Sequence, residues 1–286
     1  MASRRKQPDP KNIVKGHALN HSASTEEKYD AQLRQLVAHM TATVNREVLA
    51  LFKSDIADQH FEPTGQDASI AAQARILMSA LTKRFVALFQ SKAKLYAQGM
   101  LTSINNESEA NTTRSLAAIS KSMTISASKV TDPLKNTLTA SLAENVDLIK
   151  TIPQQYLSGV QQAVMRSITT GNGLQDLQPY LEKQAGVTER RARTIANDQT
   201  RKAYNNLNAI RMKSAGVKKF QWLHSAGGRD PRPLHINDYP NGLNGGIFSF
   251  DDLPVIDEKT GERGLPGQAV NCRCRLLPVV DFGDEN

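Results

Sequence analysis

Apolar residues recur at steps of three and four along most of this chain, a period that only an amphipathic helix satisfies. Tyr29, Leu33, Leu36, Val37, Met40, Val44, Val48 and Leu51 make one stripe, with Ser24 and Glu27 placed as a capping box ahead of it. Phe61-Glu62-Pro63-Thr64-Gly65 breaks the pattern. A second helix is expected from about residue 67 to residue 98, with Ile70, Ala74, Leu77, Leu81, Phe85, Leu88 and Leu95 on its face and Phe89 beside them. The stretch 102–128 is rich in Ser, Thr, Asn and Ala and reads as a weak helix or a mobile connection. Asp132-Pro133 supplies an N-cap and a favoured first helical residue, and Leu134, Leu138, Leu142, Val146 and Ile149 continue the period.

Beyond residue 150 the units shorten. Ile152-Pro153 is expected to start a helix that ends at Gly171-Asn172-Gly173. A short helix from Leu174 should end at Gly186, and Thr188 should cap another running to Gly216. After Gly216 the period changes to two. Segments 217–223, 248–250 and 274–280 read as short strands among dense Gly and Pro. The expected class is α+β, mostly helical. It comprises a disordered basic arm (1–23), a long-helix, partner-binding region (24–150), a small helical bundle (151–216), a compact module with a few strands (217–280) and an acidic, frayed tail (281–286).

Composition narrows what such a chain can do. Hydrophobic content is 39% and aromatic content 5%, low for one large core, so the long helices are expected to cover their apolar faces against partners. No apolar run approaches the roughly 20 residues of a membrane span. The basic start lacks the apolar centre of a secretory signal, so a cytoplasmic protein is expected. Residues 1–216 hold 28 Lys and Arg against 18 Asp and Glu, a net of +10; residues 217–286 hold 8 against 10, a net of −2. The helical part is the cationic part, which favours a polyanionic neighbour such as double-stranded DNA or an acidic protein surface. Arg4, Arg5, Lys6, Lys11 and Lys15 of the arm are candidate nucleic-acid contacts.

Chemistry-bearing residues concentrate between Trp222 and Arg275, where the single Trp and both Cys lie. Cys272 and Cys274 share one face of an extended segment and could grip a soft ion, with His235 as third ligand and His224 or Asp230 as complement. Zinc suits that set, and it is the only cofactor the sequence raises. The alternative reading is a pair of small buried thiols beneath Trp222, with His235 hydrogen-bonded in a loop. An enzymatic alternative uses one Cys as nucleophile with His235 as base, or a nuclease site built from Arg229, Arg232, His235, Arg273 and Arg275. No oxyanion hole, phosphate-binding Gly loop or His-Glu-x-x-His pattern accompanies them. A catalytic cleft would have to be open around His235 and the Cys pair.

Read in order, the chain carries Ile152-Pro153, Gly173, residues 191–200, Trp222, Asp230-Pro231-Arg232, His235, Gly246, Phe248 and Asn271-Cys272-Arg273-Cys274. This series resembles the phage Mu F-like family of minor head proteins, also called head morphogenesis proteins, over about residues 149–280. Asn197-Asp198-Gln199 departs from the family pattern and carries no assigned role. The resemblance implies a non-enzymatic minor capsid protein of a tailed phage, located in the virion near the portal vertex and in the host cytoplasm during assembly. Its implied partners are the portal protein, other head proteins and DNA, during head assembly, packaging or genome delivery. An ejected DNA-binding protein is a further reading of the basic helices.

Overall fold

The computed structural model describes residues 13–58, 69–225 and 231–282. Among them run β1 (Ile13–Lys15), α1 (Ala23–Asp58), α2 (Ile70–Ala117), α3 (Lys121–Ala127), α4 (Asp132–Thr170), α5 (Leu174–Ser214), β2 (Lys219–Leu223), α6 (Pro233–Ile236), β3 (Ile247–Ser249) and β4 (Arg275–Asp281). The protein is thus α+β, with long helices and one four-stranded antiparallel sheet in the order β1-β4-β2-β3. No helix among the described residues is long and apolar enough to cross a membrane.

Two compact units are assembled from alternating segments. One takes Met1–Glu26, Gly99–Ser141 and Asn197–Asn286; the other takes Glu27–Gln98 and Leu142–Ala196. The division falls inside α1, α2, α4 and α5, so each of these helices contributes a stretch to both units.

The all-helical unit buries Tyr29, Leu33, Leu36, Val37, Met40, Val44 and Val48 of α1, as the period requires. In α2 the buried row is Ala74, Met78, Leu81, Phe85, Phe89, Ala93 and Ala97, while Leu95 is exposed. Steps of four, with one of three between Met78 and Leu81, keep these residues on one side of the helix, and Leu95 lies off that line. Hydrogen bonds between side chains cross this core: Tyr29 donates to Asn145 (2.9 Å), Tyr156 to Asn45 (3.2 Å) and Arg191 to Thr151 (3.0 Å).

Several expected boundaries are corrected. Ile152-Pro153 starts nothing: α4 runs from Asp132 to Thr170 with Pro153 inside it. Ile152, Pro153 and Tyr156 are buried together, and that packing offsets the hydrogen bond a proline removes. Gly186 does not end a helix either, since α5 passes through it. The Thr188 hydroxyl, rather than capping, donates back to the Gln184 carbonyl at 2.8 Å. The bundle expected over 151–216 therefore has no element boundary at its start. At the head of α1 the cap is Ser22, not Ser24; its hydroxyl accepts the Ser24 N–H at 3.3 Å.

In the unit that contains the sheet, the Ser/Thr/Asn-rich stretch is helical rather than a connection. It continues α2 to Ala117 and is followed by α3. Ser108, Thr112 and Ser115 are buried at helical spacing, and Ser108 and Thr112 both donate to Asn208 Oδ1 of α5 (2.7 and 3.1 Å). A polar seam replaces the apolar stripe there. Arg211 of α5, 1% exposed, donates to the Ala127 carbonyl at the end of α3 (2.8 Å) and to Asn105 (2.9 Å).

The arm expected over 1–23 is also corrected for its described part. Ile13–Lys15 pair with Asp281, Val280 and Val279 of β4, and Leu19 is buried with its N–H on the Leu276 carbonyl (2.9 Å). A free edge of β4 supplies hydrogen bonds that so polar a segment cannot make alone. Lys15 stands exposed on that strand; Arg4, Arg5, Lys6 and Lys11 lie outside the described residues. Asp281 belongs to β4 rather than to a frayed tail, and its carboxylate meets Lys219 at 3.3 Å.

Candidate functional site

Strand register builds the site. β2 and β4 pair antiparallel from Lys219↔Val279 to Trp222↔Leu276 and Leu223↔Arg275. One further step of the same register sets His224 opposite Cys274, and His224 Nδ1 lies 3.7 Å from Cys274 Sγ. Alternation puts Cys272, Cys274 and Leu276 on one face, and all three are buried while Asn271 and Arg273 are exposed.

His235 comes from α6, a single turn with Pro233 at its start. Its Nε2 lies 2.9 Å from the Ile256 carbonyl, which can only accept, so Nε2 carries a proton. Nδ1 then faces the sulfurs of Cys272 (3.4 Å) and Cys274 (4.0 Å). The ring meets Trp222 edge-on, with centroids 5.1 Å apart. One donor atom from each of His235, Cys272 and Cys274 lies within 4.8 Å of the others. The side chains are 3%, 5% and 5% exposed, so the cluster is a buried floor beneath a surface hollow of about 400 Å³ whose walls include Ser225, Arg232 and Asn271.

The two thiols divide their roles. The contact with Cys274 draws the Cys272 thiol downward; burial opposes this, and His235 with the Cys274 backbone N–H adds to the lowering. The same contact and burial push Cys274 upward, against the Trp222 side chain and the Ser225 backbone N–H. One thiolate forms readily and the second is resisted by the first. For His235, burial pulls downward, but the bonds to Cys272 and to the Ile256 carbonyl outweigh it and the net direction is up.

Residues from α5 hold the segment that presents the cysteines. Asn271 has a left-handed backbone (φ 58°), and its N–H donates to the Asp198 carboxylate at 2.6 Å. Gln268 donates to Asn206 (2.8 Å), and Gly267 (φ 84°) sits so close to Asn205 that any side chain there would collide with it. Arg232 fixes the other side by donating to the Val270 carbonyl (3.0 Å). Asp198 is 8% exposed, and burial raises its pKa against the Asn271 N–H and nearby Lys202, Arg201 and Arg232. This positioning role was missed in the sequence. The available signal was a row of polar residues at helical spacing (Asp198, Arg201, Asn205, Asn208 and Arg211), all buried.

The other residues singled out in the sequence take identifiable places. The Gly246 carbonyl accepts the Trp222 N–H at 2.9 Å, and Phe248 packs against Phe220 (centroids 6.0 Å apart). Asp230 and Arg229 lie outside the described residues. Among the described residues, Arg232 and Arg273 line the hollow with His235, Arg232 also donating to the Val270 carbonyl, while Arg275 donates to Asn20 (2.5 Å).

Fold and site together define a long-helix protein that carries a small antiparallel sheet pinned at one end by a buried Cys/His cluster. Residues 158–277 match the family described as Phage Mu protein F like protein, the family that the sequence resembles. The matched span holds α5, the sheet strands β2 and β3, and the whole cluster. An uncharacterized protein of Haemophilus influenzae is 31% identical over 267 residues, covering 92% of this chain and 55% of that protein. The uncharacterized protein YqbB of Bacillus subtilis is 30% identical over 131 residues, covering 43% of this chain and 41% of that protein. The chain thus spans about half the length of these relatives. No solved structure matches it.

Proposed function

We propose that this chain is a minor head protein of a tailed phage, acting with the portal protein and close to packaged DNA during head assembly or genome delivery. The match of residues 158–277 to the Mu F-like family carries the reading. The charge distribution supports it: the net +10 of residues 1–216 suits a site next to confined DNA. The enzymatic alternatives draw less support: His235 and both cysteines line the floor of the hollow, but the His235 Nε2 is tied to the Ile256 carbonyl.

The test is composition of the particle. Heads purified from a lysate should contain this chain at low copy number, and it should remain with portal after the major shell is dissociated. Heads that assemble, package and infect normally without the chain would reject the proposal.

A further inference from the structure

We propose that Cys272, Cys274, His235 and His224 form a closed, four-coordinate site for one zinc ion, which pins the end of β2, α6 and the segment entering β4 to one another. The inference rests on the geometry of this module and is independent of the phage-head reading.

Two of the ligand separations match a tetrahedron and a third is slightly longer; His235, Cys272 and Cys274 lie within 4.8 Å of one another, and His224 joins them through Cys274. With Zn–S near 2.3 Å and Zn–N near 2.0–2.1 Å, ligand atoms around one zinc stand about 3.4–3.8 Å apart. The observed distances are 3.4 Å for Cys272–His235, 3.7 Å for Cys274–His224 and 4.0 Å for Cys274–His235. His235 is already oriented as a ligand: its Nε2–H is held by the Ile256 carbonyl, which leaves Nδ1 directed at the sulfurs.

Charge favours the same occupant. Two thiolates and two neutral imidazoles balance a divalent zinc, so the filled site is neutral where it is buried. Alternatives satisfy the cluster less well. A disulfide between Cys272 and Cys274 would close a ring too tight for ordinary bridge geometry. Two bare thiols leave the His224 and His235 nitrogens with only weak S–H donors. Four protein ligands leave no open position for substrate, so the ion is structural.

The experiment uses the full chain, purified reduced, stripped with chelator, re-supplied with zinc alone and desalted. One retained zinc per chain is expected. Cobalt(II) in its place should give the intense visible bands of a tetrahedral ion together with thiolate-to-cobalt charge transfer. Cys274→Ser and His224→Asn should each weaken zinc retention by about tenfold or more. Should the cysteine variant fail to fold, the wild-type cobalt spectrum still decides. The proposal is overturned by a folded, reduced wild type that retains no stoichiometric zinc, or by a weak octahedral cobalt spectrum without charge transfer. Unchanged zinc retention in His224→Asn would overturn the closed site, and so would rapid alkylation of Cys272 in the zinc-loaded chain.

Discussion

Two buried charges show what single residues contribute here. Asp198 orients the Asn271 turn but is desolvated, so its folded pKa is raised above the ordinary 3.8. For an acid with a raised pKa, the folded state binds more protons than the unfolded state within that window. Stability therefore falls as pH rises through the window, and the loss is complete above the raised value. Asp198→Asn keeps an oxygen for the Asn271 N–H and removes the charge. The wild type should accordingly gain on this variant as pH drops from neutral toward the ordinary carboxylate range. Paired urea melts across pH measure the gap, and a gap constant in pH contradicts the assignment. Arg211 makes the opposite case, a guanidinium 1% exposed whose burial lowers its pKa while Glu109 opposes the shift. Arg211→Met leaves the Ala127 carbonyl and the Asn105 side chain unsatisfied. A loss of about 2–4 kcal/mol in unfolding free energy is expected, chiefly from α3 coming loose. A change under about 0.5 kcal/mol would mean those bonds are exchanged for water without cost.

At the scale of elements, α2 divides what a periodic pattern reveals from what it hides. Its first half has an apolar row: Ala74, Leu81, Phe85 and Phe89 of the expected face are buried, but Ile70, Leu77 and Leu88 are only half-buried, Leu95 is exposed, and Met78, Ala93 and Ala97 were not assigned to it. Its second half packs through Ser108, Thr112 and Asn208, residues that read as surface or loop because their partners are remote in sequence. Asn208→Leu should cost about 2–4 kcal/mol, since it strands two buried hydroxyls and adds a branched chain to a filled seam. A thermal melt of this variant that matches the wild type would show the seam to be hydrated. Helix ends failed for a related reason. Pro153 and Gly186 are breakers on local grounds, but each lies in a helix whose flanks are held by tertiary packing. The cluster was more legible. Period-two alternation put Cys272 and Cys274 on one face, and they are. The arrival of His224 depended on a strand register that no local pattern contains.

For the whole molecule the governing quantity is uneven charge. Residues 1–216 are cationic by 10 and residues 217–286 anionic by 2. If the cationic part lies against DNA, binding must release counterions. Even about three phosphate contacts would weaken affinity by on the order of tenfold or more between about 50 and about 200 mM salt. Fluorescence anisotropy with a labelled duplex measures the slope. Affinity that is absent, or flat in salt, removes DNA from the partners and leaves the protein surfaces of the head.

The order of the sheet has a consequence for synthesis. β4 is the strand that both β1 and β2 pair with, yet it follows all the other strands in sequence. A nascent chain therefore leaves the ribosome with β1 waiting, hundreds of residues from the one strand it pairs with among the described residues. β2 and β3 can pair early, but the four-stranded order closes only after β4 has cleared the exit tunnel. A translation product halted before Cys272 would keep its helical mass while exposing two unpaired strand edges, which makes it a substrate for chaperones or proteases rather than a partial version of the protein.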